Sequence, residues 1–151
     1  MFQAVQCFPD LCEADGIFTP VKKTQKCVFM AGTGSGKEIR GPIFFLQEGV
    51  AAGGAGGGTQ PRKIAATSLA THVAMEMGSE VGRLVGYKVG MQARKTDSTR
   101  ILYMTDHVLL NECLQDNALA RYSCIIIARD KTQLKTGPTN GELRKMPKAG
   151  P

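Results

Sequence analysis

Six of the ten residues from Gly49 to Gly58 are glycine, and the other four, Val50, Ala51, Ala52 and Ala55, are small or apolar. No other stretch of the 151-residue chain narrows its possible folds so sharply. Glycine loses more backbone freedom on ordering than any other residue and brings no side chain to pack. A run of this kind predicts a flexible connector in place of a strand. The flanking segments must therefore supply the fold.

Upstream, Lys26-Cys-Val-Phe-Met-Ala31 is a short apolar run that empties into Gly32-Thr-Gly-Ser-Gly-Lys37, as a buried parallel strand entering a turn does. A helix through Phe44, Phe45 and Leu46 is expected next, with Gly41-Pro42 limiting where it starts. Downstream, Pro61 opens a helix. Ala66, Leu69, Ala70, Val73, Ala74 and Met77 repeat at helical spacing, and Gly78 ends it. Arg83–Val89 and Arg100–Met104 read as short strands. Thr105 or Asp106 caps a helix carrying Val108, Leu109, Cys113 and Leu114. Ser123-Cys-Ile-Ile-Ile127, rich in β-branched apolar residues, has the character of a central parallel strand.

Pro9, Gly16 and Pro20 punctuate residues 1–24, which predict a loosely ordered lead-in. Residues 135–151 include six Gly or Pro and predict a disordered basic tail. Between them, residues 25–134 read as one α/β domain, a mostly parallel sheet flanked by helices. The sheet is incomplete if the glycine tract forms no strand.

The formal charge of +6 is unevenly placed: residues 59–100 carry seven basic and three acidic groups, whereas residues 1–58 are neutral. A basic middle segment suits a polyanion such as nucleic acid, and equally a solvated face. Five cysteines without a C-x-x-C pair argue against a disulfide framework or zinc site, and fit a reducing compartment. Cys124, inside an apolar run, is expected to be buried. His72 and His107 stand without ligand-spaced partners, so no metal site is expected. No apolar run nears the roughly 18 residues that span a bilayer. The first twenty residues lack the basic start and apolar stretch of a secretory signal. The expected location is nuclear or cytoplasmic, without membrane or secretion.

Phosphate-binding loops follow G-x-x-x-x-G-K-[ST]: glycines let backbone N–H groups close on phosphates, the lysine holds the outer ones, and the hydroxyl ligates Mg²⁺. Here Ala31 replaces the first glycine, Gly32, Thr33, Gly34, Ser35, Gly36 and Lys37 supply the cradle, and Glu38 replaces the hydroxyl. Thr59-Gln-Pro-Arg-Lys-Ile-Ala-Ala66, Val85-Gly-Tyr87, Tyr103-Met-Thr-Asp106 with Leu109-Leu110, and Arg121-Tyr-Ser-Cys-Ile-Ile-Ile127 follow in that order. Together these segments closely resemble the first RecA-like domain of DEAH-box ATP-dependent RNA helicases, from about Lys26 to Gln133. The resemblance implies a P-loop fold, ATP with Mg²⁺, RNA as partner and helicase cofactor proteins as further partners. It also implies RNA contacts from Thr59, Gln60, Arg62, Lys63, Thr105 and Asp106. Arg is suited to phosphate, and short hydroxyls bond it without reading sequence.

The departures fall on catalytic positions. Where the family carries Asp-Glu-Ala-His, this chain has Ala128-Arg129-Asp130-Lys131, so the acidic pair that holds Mg²⁺ is absent in that register. Where the family follows Gly-Tyr-x-Val with Arg-Phe, this chain has Gly90-Met91. Phosphoryl transfer depends on positioning and charge neutralisation. The expectation is therefore a degenerate RecA-like domain with no intact catalytic residues and no metal site. It binds RNA, holds ATP weakly or not at all, and has lost hydrolysis and unwinding, since the length fits at most half of a two-domain motor. Two alternatives stay open: a non-enzymatic decoy for RNA or a partner, and a truncated product without activity.

Overall fold

Ile101-Leu-Tyr-Met-Thr105 is buried at every position, and the main sheet is built around it. The computed structural model describes residues 3–6, 27–30, 36–49 and 52–128. In chain order the elements are β1 (Gln3–Gln6), β2 (Cys27–Met30), α1 (Lys37–Gln47), β3 (Ala55–Gln60), α2 (Lys63–Glu76), β4 (Val85–Val89), β5 (Gln92–Arg94), β6 (Ile101–Thr105), α3 (Asp106–Gln115) and β7 (Tyr122–Ile127). Five strands form one sheet in the order β5-β4-β6-β3-β7, all parallel except the edge strand β5. β1 and β2 pair in parallel as a separate two-stranded sheet.

The alternation of β6 divides the core. Ile101 and Tyr103 pack with Ala66, Ala70, Val73 and Ala74 of α2, Val85 and Val89 of β4, and Ile39 and Ile43 of α1. Leu102 and Met104 point the other way, against Val108 and Leu109 of α3. A strand buried on both faces under helices is the expected form of a parallel α/β layer. The mostly parallel sheet flanked by helices is thus observed.

The second part of the glycine tract is not a connector: Ala55–Gln60 is β3, an interior strand paired in parallel with β6 on one side and β7 on the other, and Ala52–Gly54 before it are turn and bend. Ladder bonds on both edges offset the entropy that argues against such a strand. The missing side chains are also replaced by those of the neighbours. A Cβ on Gly58 would lie 3.1 Å from the Tyr103 ring, and one on Gly57 would lie 3.4 Å from both the Met104 methyl and the Tyr122 ring. The sheet has no gap at this point.

Ser123–Ile127 takes the reverse position. Within β7 it lies at the edge of the five-stranded sheet among the described residues, and Ile127 is largely exposed. Cys124 is accordingly half-buried, not buried. α1 begins at Lys37, ahead of Gly41-Pro42, and carries Pro42 inside it. β5 was not legible as a strand, although Gly90 lies in the two-residue link between Val89 and its partner Gln92. Within the lead-in, Gln3–Gln6 forms β1. The tail 135–151 lies outside the described residues.

Candidate nucleotide and RNA-binding edge

Ligands of open α/β sheets gather beyond the carboxyl ends of the strands. In this sheet the register aligns those ends: Thr59 pairs with Met104 and Ile127, and Gln60 with Thr105. α2 and α3 begin within three residues of them. Ala128, the residue after β7, brings no carboxylate to this edge. Arg129, Asp130 and Lys131 lie outside the described residues, as do Gly32, Thr33, Gly34 and Ser35.

The described end of the phosphate loop is Gly36 and Lys37. Gly36 has φ 70°, the left-handed region that glycine enters freely, and its carbonyl accepts the first bonds of α1 from Ile39 and Arg40. Lys37 is the first helical residue, and its Nζ lies 2.9 Å from Glu38 Oε1, both side chains being about 30 % exposed. An anion suits a helix start with a lysine beside it. The Glu38 carboxylate at the same place works against one. Among the described residues, no group of three His, Cys, Asp or Glu converges on a metal position. Lys37 thus stands at a helix start, where a cation can face an anion, with the Glu38 carboxylate beside it.

Behind this loop, the Tyr103 hydroxyl donates to the Glu38 carbonyl at 2.8 Å. Pro42, four residues on, has no N–H to offer that carbonyl. Burial, then the nearby Glu38 charge, pushes the Tyr103 phenol well above its usual range, so it stays a donor.

The six expected RNA residues separate by exposure. Thr59 is only 1 % exposed, and its Oγ1 is buried without a hydrogen-bond partner among the described residues. Gln60 and Thr105 are buried as well. Arg62, Lys63 and Asp106 are exposed. Arg62 is the extended N-cap of α2, whose first turn contains no acidic residue, and neither Arg62 nor Lys63 forms an ion pair among the described residues. Two cations at a helix start oppose its dipole, which an incoming phosphate would relieve. Arg62, Lys63, Ile64, Ala65 and Ser68 line an open depression there.

One charged cluster was not foreseen. Glu112, 7 % exposed on the apolar face of α3, accepts from Lys88 Nζ at 2.7 Å and from the Tyr122 hydroxyl, with Arg121 Nη1 at 4.0 Å. Burial pushes its carboxyl up, but the hydrogen bonds from Lys88 and Tyr122 and the charges of Lys88 and Arg121 outweigh that and hold it below its usual value. The available signal was its spacing: Glu112 lies one turn after the buried Val108 and is itself on the helix's inner face.

Layer order, strand register and the lysine at the start of α1 define a RecA-like α/β unit, here a fragment of one. No protein-family model matches the chain. Curated proteins do. The mouse ATP-dependent RNA helicase DHX33 is 38% identical over 111 residues, 74% of this chain and 16% of its own length. The Haemophilus influenzae ATP-dependent RNA helicase HrpA homolog is 44% identical over 107 residues, 71% of this chain and 8% of its own length. The Arabidopsis thaliana pre-mRNA-splicing factor ATP-dependent RNA helicase DEAH10 is 42% identical over 108 residues, 71% of this chain and 15% of its own length. Over that segment the chain is homologous to DEAH-box ATP-dependent RNA helicases. It spans 16% or less of the length of these three relatives.

Proposed function

We propose that this chain binds the RNA backbone through the start of α2 and does not hydrolyse ATP. The observation that carries the RNA reading is the exposed pair Arg62 and Lys63, unpaired among the described residues, at the carboxyl edge of β3. Backbone contacts of this type position RNA without reading its sequence. The homology supports the choice of ligand, since the relatives named are RNA helicases.

The reading against hydrolysis rests on charge. Glu38 stands where a metal-bound hydroxyl belongs, and Ala128-Arg129 stands where two acids belong. At 4 Å and an effective dielectric of 20, one carboxylate against one phosphate charge costs about 4 kcal/mol. The Lys37–Glu38 pair itself is partly in solvent, so the pairing contributes about 1 kcal/mol at most. Repulsion and the missing metal holders, more than a masked lysine, are what weaken nucleotide binding.

Fluorescence polarisation with single-stranded RNA, and ATP turnover with and without it, test both halves. Binding that falls with salt and is lost in R62A/K63A, with no RNA-stimulated turnover, is the expected result. E38T should tighten ATP binding by about tenfold or more if the carboxylate is the obstacle. Turnover abolished by K37A would refute the reading. A second reading, a partner-binding module, draws on Leu110 and Leu114, one turn apart and exposed on α3. No RNA binding by the wild-type chain would favour it.

A further inference from the structure

The geometry points to Gly90 as the residue that positions Lys63 for its RNA contact, an inference that rests on the RNA reading above. Gly90 and Met91 form the two-residue link of the β4–β5 hairpin, between the paired residues Val89 and Gln92. Gly90 has φ 54°, in the left-handed region. A glycine at the first central position suits the turns that match hairpin twist. Turn chemistry alone therefore accounts for a glycine here, but not for what lies above it.

A Cβ built on Gly90 would sit 3.2 Å from Lys63 Nζ and 3.5 Å from Lys63 Cε. The ammonium end of Lys63 thus lies so close over Gly90 that a side chain at position 90 would press on it and shift it. Lys63 reaches there from the first turn of α2, whose free N–H groups repel a cation toward the hairpin. The contact leaves the lysine exposed. The bare glycine keeps this position open to the Lys63 ammonium, beside the hairpin and within reach of an RNA phosphate. The departure Gly90-Met91, a loss when read in the sequence, makes room for a cation supplied by a different element.

Gly90 is a positioning residue, so its effect must pass through Lys63. The test is fluorescence polarisation with a labelled single-stranded oligouridine of about ten nucleotides, across a salt series. K63A should weaken binding about fivefold and lower the salt slope by about 0.7. G90A should do the same, and K63A/G90A should bind no more weakly than K63A alone. Unchanged binding in G90A, or a further loss in the double variant, overturns the inference. G90A also strains the backbone, so wild-type NMR provides an independent reading. A nuclear Overhauser contact between the Lys63 side chain and the Gly90 α-protons is expected, and its absence overturns the placement even if G90A fails to fold. If that contact is present and the wild-type chain binds no oligouridine, the RNA reading has failed and the positioning role fails with it.

Discussion

Tyr103 donates its hydroxyl to the carbonyl of Glu38 at 2.8 Å, the carbonyl that the ring of Pro42 leaves without its helical partner. A central strand thereby completes the hydrogen bonding of the helix that starts at Lys37. The same Tyr103 ring lies over Gly58, where a Cβ would come within 3.1 Å of it. Gly58 gives the ring room, the ring reaches α1, and α1 carries the lysine of the phosphate loop. A glycine strand and a proline inside a helix, each unfavourable alone, are compatible through one tyrosine.

Removing that hydroxyl should expose the fault in α1. Y103F leaves the Glu38 carbonyl without a donor and should cost about 1–2 kcal/mol. P42A restores an N–H at the fourth residue on, so Y103F should cost less in the P42A background. Urea denaturation of the two single variants and the double variant reads the coupling. Equal costs of Y103F in both backgrounds would show that Pro42 does not set the need for the tyrosine.

Glycine substitutions along the tract should differ by position. A Cβ on Gly54 would lie 2.7 Å from the Arg121 carbonyl oxygen, which is backbone and yields little. G54A should therefore cost about 2–3 kcal/mol. At Gly53 the nearest atom to a new Cβ is Ser123 Oγ at 3.6 Å, ordinary contact. G53A should be neutral or stabilise by up to about 1 kcal/mol by restricting the unfolded chain. Thermal melts of both variants decide the matter, and similar melting points would contradict this account of the approach to β3.

What the sequence made legible was periodicity. Ala66, Ala70, Val73 and Ala74 mark the buried face of α2 by spacing alone, and all four are fully buried. The layered α/β order was legible for the same reason. Tertiary exchange was not legible. Nothing local to Gly56-Gly-Gly58 tells that Tyr103, Met104 and Tyr122 fill the absent side chains. The apolar character of Cys124-Ile-Ile-Ile127 equally hides that the strand lies at an edge among the described residues. The family resemblance named Thr59 as an RNA contact, but its place in β3 buries it.

Thr59 can be separated from the RNA surface by a near-isosteric change. Its Oγ1 is buried with no partner among the described residues, so T59V replaces an uncompensated hydroxyl with a methyl. Stability should rise by about 1 kcal/mol, or at least not fall. RNA affinity should stay within about twofold of wild type, because the exposed cations carry the contact. A T59V variant that folds as well as wild type but binds RNA tenfold more weakly would place the threonine hydroxyl in the interface after all.

The Glu112 cluster predicts acid sensitivity of a stated sign. Its folded carboxyl titrates below the usual value, so its contribution is fully present above the unfolded value, about 4.3, and is lost as pH falls through the lowered folded value. E112Q removes that contribution and leaves Lys88 without its carboxylate. Lys88 is 31 % exposed and keeps some water, so the cost at neutral pH should be nearer 2 than 5 kcal/mol, below the usual loss from breaking a fully buried pair. Urea midpoints of wild type and E112Q should differ by a constant amount at pH above about 5 and converge toward pH 3. A gap that widens on acidification would mean that the carboxyl is held above its usual value, with burial outweighing Lys88 and Tyr122. Because Glu112 joins α3 to Lys88 of β4 and Tyr122 of β7, its protonation loosens the helix that starts at Asp106. RNA binding through Arg62 and Lys63 should survive that loosening longer than the fold around α3 does.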